Sequence, residues 1–150
     1  MDHEAEVIGV GTGSAPGGEV PAVILSAREE YVPIFVSADQ AQSIGLALEG
    51  EPFDRPLTHD LLVEVLTEFG GAIDRVRIDD LRGGTFYAKV DAERYDAGEP
   101  DQFVFDARPS DALAIAVRVD CRILIADDVI DEAGRSQDAV RFDDEPHDER

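Results

Sequence analysis

The chain has 150 residues, long enough for one domain with a sizeable core, and 43% of them are hydrophobic. Thirty-four acidic residues stand against 13 basic ones, a net charge of −21, with Lys89 the only lysine. Such a fold repels itself until molar salt shrinks the screening length to roughly 3 Å, which points to a salt-rich cytoplasm and a halophilic source. Composition excludes an internal disulfide, because Cys121 is the only cysteine, and no apolar run approaches the roughly 20 residues of a membrane span.

In chain order, alternating apolar residues predict strands over Glu4–Val10, Val20–Ser26 and Tyr31–Val36, with a Gly/Pro/Ser-rich turn at Gly11–Gly18. From Ala38 the apolar positions Ala41, Ile44, Leu46, Ala47 and Leu48 take helical spacing, and Gly50 stops that helix. A second helix is expected from Thr58 to Phe69, with Leu61, Leu62, Val65, Leu66 and Phe69 on one face and Gly70-Gly71 closing it. Ile73–Asp80 and Thr85–Asp91 read as a hairpin about Gly83-Gly84, and Gln102–Asp106 as a third strand. A helix over Ser110–Arg118, a strand over Ile123–Ala126 and a helical turn through Asp127–Asp131 follow. Past Gly134 the chain turns polar and acidic, so the domain is expected to occupy 1–133 and a frayed tail 134–150.

Laying "IFVSADQAQSIGLAL" over "VFDARPSDALAIAVR" sets Phe35, Ala41, Ile44 and Leu46 on Phe105, Ala112, Ile115 and Val117. This offset of about 70 residues suggests an α+β fold made of a duplicated unit of three strands plus two helices.

Two stretches share one grammar. "RPLTHDLL" (55–62) and "RPSDAL" (108–113) each run from Arg-Pro to a hydroxyl residue, then Asp, then leucine. Thr58 and Ser110 are candidate N-caps, Asp60 and Asp111 lie near the positive end of each helix dipole, and each proline holds the arginine before it extended. The arginines exceed what a helix start requires. Arg55 and Arg108 suit an oxyanion such as phosphate at an open helix N-terminus, or else they pair with Asp54, Asp106 or Asp111 as a structural clasp. His59 has the one side chain inside the ordered pattern suited to proton transfer near neutral pH, since His3 and His147 sit near the ends. Asp60, Asp106 and Asp111 are candidate oxygen ligands for Mg²⁺ or Mn²⁺.

"RPLTHDLL" (55–62), "DLRGGTFYAKV" (80–90) and "DARPSDALAIAVR" (106–118), in that order and spacing, resemble the bifunctional nuclease domain family over about residues 4 to 132. The resemblance implies a barrel-like mixed sheet with helices packed on it and a nuclease acting on RNA and DNA. Carried onto this chain, it makes Arg55, His59, Asp60, Asp106, Arg108, Ser110 and Asp111 the motif positions expected to line a site, and it brings no catalytic mechanism. On their own chemistry His59, Asp60, Asp106 and Asp111 are the candidate catalytic residues, Arg55, Thr58, Arg108 and Ser110 the candidate substrate-binding ones, and Asp106 and Asp111 the candidate metal ligands. The chain departs from the family pattern at Gln40-Ala41, where a Glu-Ala pair is common, and at Cys121-Arg122, where a small residue and proline are usual. The nuclease reading meets one physical difficulty, since a chain of this charge repels nucleic acid at long range. A non-catalytic module binding an anion or nucleotide at the Arg-Pro junctions therefore stands beside it, and exposed sheet edges suggest a homo-oligomer.

Overall fold

Two antiparallel three-stranded meanders, each leading into helix, account for most of residues 1–15, 17–50, 55–136 and 141–142, which this computed structural model describes. The first holds β1 (Asp2–Ala15), β2 (Gly18–Ala27) and β3 (Glu30–Phe35), then α1 (Ala38–Glu49) and α2 (Thr58–Glu68). The second holds β4 (Gly71–Arg82), β5 (Thr85–Asp96) and β6 (Glu99–Ala107), then α3 (Pro109–Val119), β7 (Arg122–Ala126) and α4 (Asp127–Ala133). β7 inserts between the meanders, antiparallel to β1 and parallel to β4, giving the order β3-β2-β1-β7-β4-β5-β6. The class is α+β, as expected. Among the described residues the sheet is not closed: β3 and β6 end the strand order and do not pair with each other, so it is an open sheet with no barrel seam.

Period-two patterning sorts the sheet into two faces. Val76 and Ile78 of β4, Ala88 and Val90 of β5 and Ile125 of β7 are buried in one cluster with Leu113 and Ile115 of α3. Ala112 to Ala116 are all buried, and small residues at most of these positions let α3 sit close to the sheet and to α1. The residues between, Arg75, Arg77, Lys89 and Asp91, point to the side without helices and meet there as ion pairs. Arg75 Nε and Arg77 Nε both donate to Asp91 Oδ2, at 2.7 and 2.8 Å. Lys89 Nζ sits 3.3 Å from Asp79 and 3.1 Å from Asp106.

Several boundaries differ from the sequence reading. Gly11–Ala15 is strand, and only the far end of the expected turn turns. Gly13 is there because a Cβ would lie 2.8 Å from the Phe35 ring, so it serves a close approach within the sheet. The second meander is longer than expected at both ends, because β4, β5 and β6 bond along their whole length. His3, expected near a loose end, lies within β1, and its ring bonds Asp127 at 2.5 Å because Asp2 to Ala5 pair with β7. Beyond Gly134, where fraying was expected, Arg135 bridges Tyr31 and a two-residue strand, β8 (Arg141–Phe142), pairs with Gly11 and Thr12. His147 and Asp54 lie outside the described residues.

Candidate functional site

The N-termini of α1, α2 and α3 border the same region. Ser37 caps α1, with its Oγ accepting from Gln40 N at 3.2 Å and Gln40 Oε1 accepting from Ser37 N at 2.9 Å. At α2 the cap is Leu57, and Asp60 Oδ2 accepts from its N–H at 2.9 Å. At α3 the cap is Arg108, extended at φ −71° and ψ 145°, followed by Pro109. Thr58 and Ser110 are therefore not the caps. Both stand inside their helices: at α3 Pro109 takes the first helical position ahead of Ser110, and at α2 Asp60, three places past Leu57, accepts from the cap amide.

A chain of polar contacts joins α2 to α3. His59 Nε2 lies 2.9 Å from Asp111 Oδ1, while Arg108 donates to the same carboxylate through Nε (2.9 Å) and Nη2 (3.3 Å). Asp60 Oδ1 accepts from Arg118 Nε at 2.7 Å, and Arg118 also donates to Ser43 Oγ at 3.1 Å and Ala114 O at 2.8 Å. Partial burial works against ionisation of Asp111, but Arg108 and His59 together hold its carboxyl below the usual range. Burial likewise opposes ionisation of Asp60, and the Leu57 amide and Arg118 overcome it. The two arginines differ in setting: the Arg118 side chain is 8% exposed and the Arg108 side chain 71%.

Two adjoining clefts open beside this chain. The larger, about 460 Å³, is lined by Ser37, Phe86, Arg108 and Pro109; the smaller, about 240 Å³, by Ser43, Leu57, Thr58 and His59; Gln40 and Ser110 line both. An ionised Asp111 accepts a hydrogen bond from His59 only when the Nε2 nitrogen carries a proton. Arg108 donates two of its five guanidinium N–H groups to Asp111.

The structure thus brings together His59, Asp111 and Arg108, with Thr58, Asp60 and Ser110 around them. Arg55 is exposed just ahead of α2 and makes no ion pair with a described residue. Asp106 is on the other face of the sheet, 88% exposed and paired with Lys89, so it is not brought to Asp111. Among the described residues no three His, Cys, Asp or Glu side chains form a metal-ligating group. Cys121 is half-buried, just ahead of β7.

Sequence reasoning missed Arg118 and Ser43. Arg118 reads as a cation suited to a helix C-terminus. Its being the sole charge among the last turns of an apolar helix was the available signal, but only the fold shows that it points back to α2.

The family model of the bifunctional nuclease domain matches residues 23–138. Two proteins of Mycobacterium tuberculosis, from strains CDC 1551 / Oshkosh and ATCC 25618 / H37Rv and both titled uncharacterized, are each 34% identical over 131 residues, covering 87% of this chain and 76% of theirs. By this match, over most of its length and across the His59, Asp111 and Arg108 cluster, the chain belongs to the bifunctional nuclease domain family.

Proposed function

We propose that this protein hydrolyses phosphodiester bonds of RNA and DNA in the groove beside His59, Asp111 and Arg108. The observation that carries the reading is the shared Asp111 carboxylate: it orients a histidine and an exposed arginine at the rim of two clefts. Arg108 and the α3 N-terminus bind the phosphate oxygens. His59 Nδ1 takes a proton from the attacking water as its oxygen bonds to phosphorus, and returns it to the departing ester oxygen as the P–O bond breaks. Thr58 and Ser110 line the binding surface, and Arg55 is a second cation at its approach. Asp106 and Asp111 face different ways, so they do not fit as a joint metal pair; Mg²⁺ or Mn²⁺ enters this reading as an ion carried on the substrate phosphates, at a site bordered by Asp60 and Asp111. The charge of −21 supports a reaction carried out at high salt, where contacts must be short-ranged.

The second reading, a regulatory module binding an anion or nucleotide, is favoured by one observation, the Asp60 and Arg118 pair. It clasps α2 to α3 without any catalytic need. The experiment that separates them is cleavage of labelled single-stranded RNA and DNA in molar KCl, with Mg²⁺, with Mn²⁺ and with EDTA, by wild type, Arg108→Ala and His59→Gln prepared in parallel. Cleavage by wild type that both variants lose supports the nuclease. Cleavage that the variants retain, or that wild type lacks, supports the module.

A further inference from the structure

Among the described residues the two end strands of the sheet are treated differently. β3 is short, Glu30–Phe35, contains Pro33, is bridged by Arg135 through Tyr31 N and O, and buries Val32, Pro33 and Ile34. β6 is longer, Glu99–Ala107, and exposed along almost its whole length. At its centre Phe103, Val104 and Phe105 are 36%, 60% and 53% exposed. An open edge offers unpaired N–H and C=O groups to any strand, and sheets ordinarily blunt such edges with lysine, proline or a bulge. β6 has Pro100 and acids near its ends and nothing at its centre.

Both faces of β6 are apolar there. Phe103 and Phe105 stand on the helix side, opposite Ala92 and Val90, with near-parallel rings whose centroids are 6.2 Å apart; the Arg94 guanidinium lies 5.5 Å over Phe103. Val104 stands on the other side, opposite Asp91. On the helix side α2 adds a second uncovered surface: Leu61, Leu62, Val65 and Phe69 share one arc of the helix, all are exposed, and α2 buries no residue fully. The cross-strand row Ile73, Ala92, Phe103 runs outward to β6 from β4, against which α2 packs.

We propose that β6 pairs antiparallel with β6 of a second copy of this chain, about a two-fold axis at Val104, making one continuous sheet of the two. Self-complementarity selects this occupant. In that register Val104 opposes Val104, Phe103 opposes Phe105 and Gln102 opposes Asp106, so no two acids face each other. Centring on Phe103 sets Asp101 against Phe105, and centring on Phe105 sets Asp106 against Val104. On a chain of net charge −21 most surfaces repel a second copy, whereas the centre of β6 offers uncharged contact, main-chain partners and the Arg94 cation. The same register lays Arg108 beside Pro100 of the second copy, so each groove opens at the seam. The pairing does not depend on the groove being catalytic.

Sedimentation velocity in molar KCl tests it. Wild type at tens of micromolar should run at about twice 16.3 kDa, and Val104→Lys at the monomer mass with an unchanged far-UV circular dichroism spectrum. Val104→Cys in a Cys121→Ser background should oxidise to a covalent dimer, which reads the two-fold directly even where the lysine variant unfolds. A monomeric wild type, a dimer that survives Val104→Lys in folded form, or a Val104→Cys chain that stays uncrosslinked would overturn the pairing. If wild type is monomeric and Phe105→Ala loses oligonucleotide binding, the Phe103 and Phe105 surface belongs to nucleic-acid bases instead.

Discussion

The guanidinium of Arg118 reaches back along α3 to the carboxylate of Asp60, Nε to Oδ1 2.7 Å, and ties the last turn of one helix to the first turn of another. Arg118 is nearly buried and Asp60 is not, so removing the acid strands a desolvated cation. Asp60→Asn should destabilise the fold by about 2–3 kcal/mol, less than the 3–5 of a fully enclosed pair. Differential scanning calorimetry should show a melting temperature lower by roughly 5–10 °C.

Arg108→Ala should behave differently. Its pair with Asp111 is solvent-exposed and spans three residues of one helix start, a geometry worth at most about 1 kcal/mol. The melting temperature should shift by only a few degrees, while phosphodiester cleavage in the parallel assay falls to background. A loss of stability matching that of Asp60→Asn would count for the clasp.

The carboxylates of Asp60, Asp91 and Asp111 are all held below the ordinary range. Burial opposes their ionisation in each case, and Leu57 N–H with Arg118, Arg77 with Arg75, and Arg108 with His59 outweigh it. A depressed folded value means that the unfolded chain takes up protons first. The stabilisation is therefore complete above the unfolded carboxylate value of about 4 and is lost as pH falls through the lower folded values. Urea midpoints in molar KCl should stay level from pH 7 to about 5 and drop below about 4, with a smaller acid drop in the Asp91→Asn chain, whose neutral starting state is already weakened.

Cys121 should be a poor nucleophile. Burial pushes its thiol up to about 11, with Asp74 and Asp120 adding to the effect. At pH 8 the folded chain should react with a disulfide reagent far more slowly than the urea-unfolded chain, followed by thiolate release.

Gly71 permits the close approach of α2 to β4, since a Cβ there would lie 2.6 Å from Leu66 Cδ1 and 3.2 Å from Leu66 O. Gly71→Ala should cost about 1–3 kcal/mol, read as a lower denaturant midpoint. The sequence suggested only a helix stop at this glycine; the contact with Leu66 exists because β4 begins there and turns the chain back under the helix.

Local physics determined much of this protein in advance. Period-two and helical patterning placed the strands and helices, and the Arg-Pro-hydroxyl-Asp grammar located both helix starts, while the charge of −21 is a property of the whole composition. The patterning and the Arg-Pro grammar are short-range and are written in neighbouring residues. Tertiary structure alone decided that β7 divides the meanders, that Asp106 faces away from Asp111, that Arg118 closes on Asp60, and that no other described strand pairs with the outer edge of β6. Each of these depends on strand order, and strand order is settled by how the apolar faces of distant segments bury one another, which no stretch of sequence contains by itself.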